Sequence, residues 1–257
     1  HTSPEVLASG SFFPELIVEN ARLVYARDAD LDYVEVIDEG EPGVDPDYYT
    51  TTRYRSGEVT TDPETGEESL TVTEKTIDRD TYYWYVVHPR GEDERPYYID
   101  PDQVCAGGQC PTDPDRGVFW RDYLWTATDD ACPDGVGTCP VLSEMLTGQD
   151  LLWKGRYGNS ADNGAMGQIM QWVNATMHFG ALDERSVQPA RIYKIHHGNC
   201  GEHGDITNAA VRIGLIPGIV IEARGNDHCW SEFWDEGWVQ VEPVNTSIDY
   251  YGYYADA

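Results

Sequence analysis

The chain has 257 residues, with 46 acidic side chains against 17 basic ones and a formal charge of −29 at neutral pH. That length is enough to bury a core without crosslinks, and that charge excludes nucleic acid and anionic membranes as partners, because a polyanion gains nothing by approaching this surface. The basic residues include only three lysines, Lys75, Lys154 and Lys194; such a surface suits either high salt, where short Debye lengths screen self-repulsion, or an ordinary acidic secreted protein, and refolding yield against salt separates the two.

No run of about 18 apolar residues occurs, so no membrane-spanning helix is expected. The chain begins at His1 with neither an initiating Met nor a signal peptide, and it reads as a mature or excised piece of something longer.

Residues 1 to about 100 read as β-rich. "DYVEVID", "DYYTTTRYRSGEVTTD", "ESLTVTEKTI" and "TYYWYVVHP" are Thr-, Val- and Tyr-rich runs separated by Pro, Gly and Asp clusters, and a separate β-sandwich is one form this region could take. Within it, "DADLDYVEVIDE" sets Asp28, Asp30, Asp32 and Glu39 at calcium-loop positions, but Tyr33 stands where the loop needs glycine, so a solvated acidic loop is expected.

Residues 101 to 140 are punctuated by Cys, Pro and Gly and are expected to form a stapled connection into the second half. The six cysteines allow 15 pairings, yet Cys105 with Cys110 and Cys132 with Cys139 are close in sequence with glycines between them. Two local disulfides and an oxidising, extracellular or cell-surface location are the reading; zinc held by these four cysteines is the alternative, with spacings that fit poorly.

Helical patterns follow. "VLSEMLTGQDLLW" is one, and "NGAMGQIMQWVNATMHFG" is stronger, with Met166, Ile169, Met170, Val173 and Met177 on one stripe ending at Gly180. The stripe reads as core. The sequons at Asn174 and Asn245 have meaning only in a glycosylating host.

The chemistry concentrates in "KIHHGNCGEHGDITNAAVRIGLIP", residues 194 to 217. Asn199 is a good N-cap with Glu202 in capping-box register, Ile206, Ala209, Ala210 and Ile213 mark a buried face, and Gly214 and Pro217 are expected to stop the helix. Cys200 then falls at the first helical position, where unpaired N–H groups and the helix dipole favour a thiolate over a thiol. Downstream, "GIVIEAR" reads as a buried strand, and "HCWSEFW" and "WVQVEP" as a hairpin around "DEG", with Gly237 as its left-handed residue. That register opposes Trp234 to Trp238, Glu232 to Gln240 and Trp230 to Glu242. His228 and Glu242 become diagonal neighbours on one face, and Cys229 points to the other. A cysteine at a helix start, a histidine on a later strand and an acid on the next have the form of nucleophile, base and orienter.

At this point residues 190 to 249 resemble the transglutaminase-like superfamily, a papain-like group whose core runs Gly-x-Cys before a helix, Gly-[Ile/Leu]-Pro after it, His-x-Trp-x-Glu, and Gly-Trp followed by Asp-Pro. The corresponding residues are "GNC" at 198 to 200, "GLIP" at 214 to 217, "HCWSE" at 228 to 232, "GW" at 237 to 238 and "EP" at 242 to 243. The resemblance implies an α+β fold, a papain-like transglutaminase core of helices packed on an antiparallel sheet over residues 101–257, preceded by the β-rich region 1–100. It also implies Cys200 as nucleophile, His228 as base and Glu242 as third member, where the family normally has Asp; Asp249 is the runner-up acid. The reaction implied is acyl transfer on protein or peptide carboxamide or peptide bonds through a thioester, with no cofactor and no metal.

Other readings stand beside this one. Cys200 could be bridged to Cys229, which would silence the site. It could join His196 and His203 around zinc, although no second ligand cluster of suitable spacing follows; His196, His197 and His203 are expected to line or flank the cleft. The alternative of a different class is an inactive extracellular binding or adhesion module that kept the fold.

Overall fold

The computed structural model describes residues 13–155, 164–223, 225 and 227–248. It is a mixed α+β structure with antiparallel sheets.

The chain enters through helix α1, Pro14–Asp30. Pro14 sits at the helix start, where a missing N–H costs nothing, and Leu16, Asn20, Val24 and Arg27 form the buried stripe. This corrects the β-rich reading at its beginning. Two of the four inward positions are polar, which hides the helical period from a reading of apolar residues alone. The acidic stretch is likewise no solvated loop: Asp28 and Asp30 close α1, the Asp28 carboxylate accepts the Val36 N–H at 2.5 Å, and Tyr33 is buried with its hydroxyl donating to the Gly214 carbonyl at 2.9 Å.

Strands β1 (Val34–Glu39), β2 (Tyr49–Thr61) and β3 (Glu68–Thr76) follow as one three-stranded antiparallel sheet in that order. Among the described residues the first half thus supplies one sheet, not the two of a sandwich. "TYYWYVVHP" is also not a strand. Asp78 accepts the N–H groups of Asp80 and Thr81 and starts helix α2, Arg79–Tyr82, which runs into a π-helical turn at Tyr83–Val87; a local cap has overridden β propensity.

Disulfides join Cys105 to Cys110 and Cys132 to Cys139. Between them lies helix α3, Trp120–Thr126, whose Arg121 is wholly buried. Its guanidinium donates to Asn20 Oδ1 at 2.9 Å, the Arg212 carbonyl at 2.6 Å and the Val86 carbonyl at 2.6 Å, and burial lowers its pKa to about 9. One side chain therefore ties α1, the π-turn and the second half together.

Helix α4, Leu142–Leu146, is only the first part of the expected segment. Residues 151–153 pass beside β2, with the Trp153 N–H donating to the Arg55 carbonyl at 2.7 Å. Helix α5, Ala165–Thr176, buries Met166, Ile169, Met170 and Val173 as its stripe predicts, but it ends four residues before Gly180. His178–Phe179 forms a short strand β4 there, paired in parallel with β5, His197–Gly198. Helix α6, Pro189–Ile195, leads into β5, and α7, Cys200–Ile213, follows directly. The four-stranded antiparallel sheet β6 (Gly218–Glu222), β7 (Cys229–Trp234), β8 (Trp238–Glu242) and β9 (Ser247–Ile248) completes the described chain.

Helix α7 is the centre of the fold. It packs against α3, α5, α6, β6 and β7, and from Glu202 to Ile213 every residue but Asp205 is buried. Its end also differs from expectation: Leu215, with φ 58°, takes the left-handed conformation, and Gly214 does not. Gly214 is needed for closeness instead, since a Cβ there would lie 2.9 Å from the Tyr33 hydroxyl oxygen.

The first and second halves share one hydrophobic core. Tyr54 of β2 stacks on Trp153 with ring centroids 4.0 Å apart, and the Trp153 indole N–H donates to the Trp234 carbonyl at 2.8 Å. Beside them the side chain of Asp235 in the β7–β8 turn is buried. It accepts from the Tyr54 hydroxyl at 3.2 Å and the Ser56 hydroxyl at 3.2 Å, and pairs with Lys75 at 3.0 Å and Lys154 at 3.4 Å.

Candidate active site

Cys200 is placed by a sequence of tight local constraints. Helix α6 ends at His196, whose φ of 54° turns the chain into β5. Gly198 then passes so close to α7 that a Cβ on it would lie 2.2 Å from the Glu202 Cβ. That approach lets the Glu202 carboxylate fold back onto the Asn199 N–H at 2.8 Å, forming the capping box, while Arg185 holds its other oxygen at 2.8 Å. Cys200 is therefore the first residue of a capped 14-residue helix, half-buried, with a free thiol.

His228 immediately precedes β7. Its Nε2 lies 3.0 Å from Glu242 Oε2, and Glu242 is buried while the histidine is 30% exposed at its side chain. The hairpin register brings them together, with Glu232 opposite Gln240 and Trp234 opposite Trp238. The Trp230 ring lies 6.2 Å from the His228 ring, and its indole N–H donates to Glu232 at 3.1 Å. The turn's left-handed residue is Glu236, φ 61°, and not Gly237; the Glu236 carboxylate is held by Lys75 at 2.7 Å.

Alternation along β7 turns Cys229, Ser231 and Phe233 inward, and α7 packs on that inward face. The Ser231 hydroxyl donates to the Gly204 carbonyl at 3.3 Å, and the Cys229 thiol lies beside Cys200. Cys229 lies on the face away from His228, as the hairpin register predicts, and that face is the one α7 covers. Burial first, and then the Cys200 thiol beside it, push the Cys229 pKa up. Among the described residues no hydrogen bond joins the Cys200 thiol to the His228 ring. The structure thus brings His228 to Glu242 and Cys200 to the residue next to His228. Asp249, the runner-up acid, lies outside the described residues.

His196 and His203 are committed elsewhere. His196 is buried and donates from Nδ1 to the Thr176 carbonyl at 2.8 Å, with Nε2 3.6 Å from Asp129. His203 donates from Nδ1 to the Asn199 carbonyl at 2.9 Å, and burial lowers its pKa. His196 and His203 therefore do not converge on Cys200, and no group of three or more possible metal ligands occurs among the described residues.

Next to Cys200 a cavity of about 140 Å³ is lined by Glu92, Asp93, Glu202, Asp205, Glu222 and Cys229, among others. Its size suits a small side chain or a few waters. Burial, with Glu94, Glu92 and Asp93 around it, pushes the Asp205 pKa well above the usual carboxylate range, and burial also raises Glu92 and Glu94. No sequence pattern points to this cavity, because its walls come from residues 92–93, residues 185–187, α7, β6 and β7, segments distant in the chain.

No helix among the described residues is long and apolar enough to cross a membrane. Comparisons with protein-family models, with curated proteins and with solved structures returned no match to this chain.

Proposed function

We propose that the chain is a secreted, cysteine-dependent acyl-transfer enzyme with a papain-like transglutaminase core, acting on carboxamide or peptide groups of a protein or peptide substrate. The observation that carries this reading is the 3.0 Å contact of His228 Nε2 with the buried Glu242 carboxylate, one residue from the strand position that touches the Cys200 thiol. A histidine half in solvent, oriented by an acid that is itself buried, is the arrangement a general base requires. The two disulfides support a location outside the reducing cytosol.

In this reading Glu242 occupies Nε2, so proton exchange with the sulfur goes through Nδ1. The Cys200 sulfur attacks the carboxamide carbon as the thiol proton passes to His228. The tetrahedral oxyanion is met by the Cys200 backbone N–H, one of the helix-start donors without an intrahelical partner. Collapse breaks the C–N bond, ammonia leaves with the proton from His228, and a thioester remains. An amine or water then attacks, gives its proton to His228, and restores the thiol as the thioester C–S bond breaks. A primary amine gives crosslinking, and water gives deamidation or proteolysis. The acidic cavity beside Cys200 supports a cationic or amine-bearing partner for one side of the reaction.

Mass spectrometry of the intact protein after incubation with a glutamine-containing protein and a primary amine tests this. Amine incorporation or deamidation that disappears in Cys200→Ala supports it. No product, no acyl-enzyme and a Cys200 thiol that alkylates only after unfolding would overturn it. The second reading, an inactive binding module of the same fold, is favoured by one observation: the Cys200 thiol faces Cys229 and makes no hydrogen bond to His228 among the described residues.

A further inference from the structure

We propose that Cys200 and Cys229 form a reversible dithiol–disulfide site, oxidised by a hydroperoxide, that removes the Cys200 nucleophile. The disulfide chemistry stands on the thiol pair alone; only its effect on turnover rests on the acyl-transfer reading.

The pairing follows from how α7 lies on the sheet. Gly204 and Ser231 are in contact at 3.3 Å. One helical turn back along α7 is Cys200, about 6 Å away, and two residues back along β7 is Cys229, about 7 Å away. Nearly equal steps along both elements bring Cys200 beside Cys229, and each thiol acts on the other electrostatically. Cys229 is fixed by its pairing with Glu222 of β6, and Cys200 by the capping box. Neither has another candidate partner, because the remaining four cysteines are joined to each other.

The two sulfurs are unequal. Cys229 is buried, and its pKa is pushed up, so it stays protonated and is the poorer nucleophile of the two. Cys200, at the capped helix start, is half-buried and is the more exposed of the two sulfurs, open to a small hydroperoxide. Oxidation therefore starts at Cys200. Its sulfur attacks the terminal peroxide oxygen, an S–O bond forms, the O–O bond breaks, and the alcohol leaves with the thiol proton. The sulfur has lost two electrons to the peroxide and is a sulfenic acid. The Cys229 sulfur then attacks it, the S–S bond forms, and the departing hydroxyl leaves as water with the Cys229 proton. An external dithiol reverses the bond by exchange.

The test uses the full chain with both thiols free, treated with hydrogen peroxide and read by intact mass, peptide mapping and iodoacetamide labelling without denaturant. The expected result is loss of two hydrogens, a Cys200–Cys229 crosslinked peptide and near-complete loss of Cys200 labelling, all restored by dithiothreitol. In Cys229→Ala, and in Cys229→Ser as a second variant should one fold poorly, Cys200 should instead gain oxygen and pass to states that dithiothreitol does not restore. The proposal is overturned if the wild-type protein only gains oxygen, if the crosslink maps elsewhere, if dithiothreitol cannot reopen the bond in the folded protein, or if the Cys229 variants remain reversibly protected. A chain that forms and reopens this bond yet never turns over substrate would overturn the acyl-transfer reading and leave the redox pair standing.

Discussion

His228 lies three residues and Glu242 one residue beyond the paired ladder of their hairpin, and still they meet, Nε2 to Oε2, at 3.0 Å. The diagonal relation across antiparallel strands supplies the proximity, and the burial of Glu242 supplies the fixity. Glu242→Gln keeps the shape and removes the charge that stabilises an imidazolium. Its acyl-transfer rate should fall by roughly 10²- to 10⁴-fold, the range for losing a positioned acid–base group, with an unchanged circular dichroism spectrum. Amine incorporation measured across pH checks this; a variant with the parent's rate would remove Glu242 from the mechanism.

Asp235 is the point where β2, β3 and the β7–β8 hairpin are tied. Its carboxylate meets two hydroxyls and two lysine ammonium groups while its side chain is only 5% exposed. Removing one partner of a buried charge cluster leaves the others uncompensated, so Asp235→Ala should cost about 3–5 kcal/mol. Urea unfolding followed by tryptophan fluorescence and by far-ultraviolet dichroism checks it. The two signals should shift together, since the three-stranded sheet and the second half share a core; separate transitions would show that the first half folds independently.

The legibility of this fold follows interaction range. Capping at Asn199–Glu202, the methionine stripe of α5 and the pairing of Trp234 with Trp238 are set by residues within a few positions of each other, and all three were readable. The helical turn after Asp78 is equally local, yet the β-branched and aromatic run after it concealed it. Glu236 takes the left-handed turn position although Gly237 is next to it, and its partner Lys75 lies on β3, far back in the chain. Period-two alternation put Cys229 on the face away from His228, but only the packing of α7 reveals what covers that face. The acidic cavity was invisible for the same reason: no single segment contains it.

Asp205 is the one residue of α7 after Gly201 that is half-buried and not fully so, and its carboxyl faces that cavity from inside the fold. Its pKa is pushed well up by burial and by Glu94, Glu92 and Asp93. An acid whose pKa rises on folding binds its proton more tightly in the native state. Stability is then complete below the unfolded pKa of about 3.9 and is lost as pH climbs through the native value, by about 1.4 kcal/mol per unit of elevation. Asp205→Asn cannot ionise, so it should match the parent at about pH 4 and exceed it in urea midpoint at about pH 8. A variant less stable than the parent at the higher pH would mean that the carboxylate is stabilising.

The acidic cavity also predicts a substrate charge preference. Glu222 is exposed at its rim while Glu92 and Asp93 stand across it, so a basic side chain near the reacting carboxamide should be favoured over an acidic one. Exposed charge contacts are worth about 0.2–1 kcal/mol each, and Glu222→Gln should cut the preference for basic peptides by no more than about fivefold. Because the Debye length falls from about 10 Å at 0.1 M salt to about 3 Å at 1 M, the preference should shrink across that range in the parent and shrink less in the variant. Competition between a lysine-flanked and a glutamate-flanked glutamine peptide at the two salt concentrations measures this directly. Equal use of both peptides at low salt would show that substrate does not pass this cavity, and the acyl group would then have to approach Cys200 from the His228 side of the sheet.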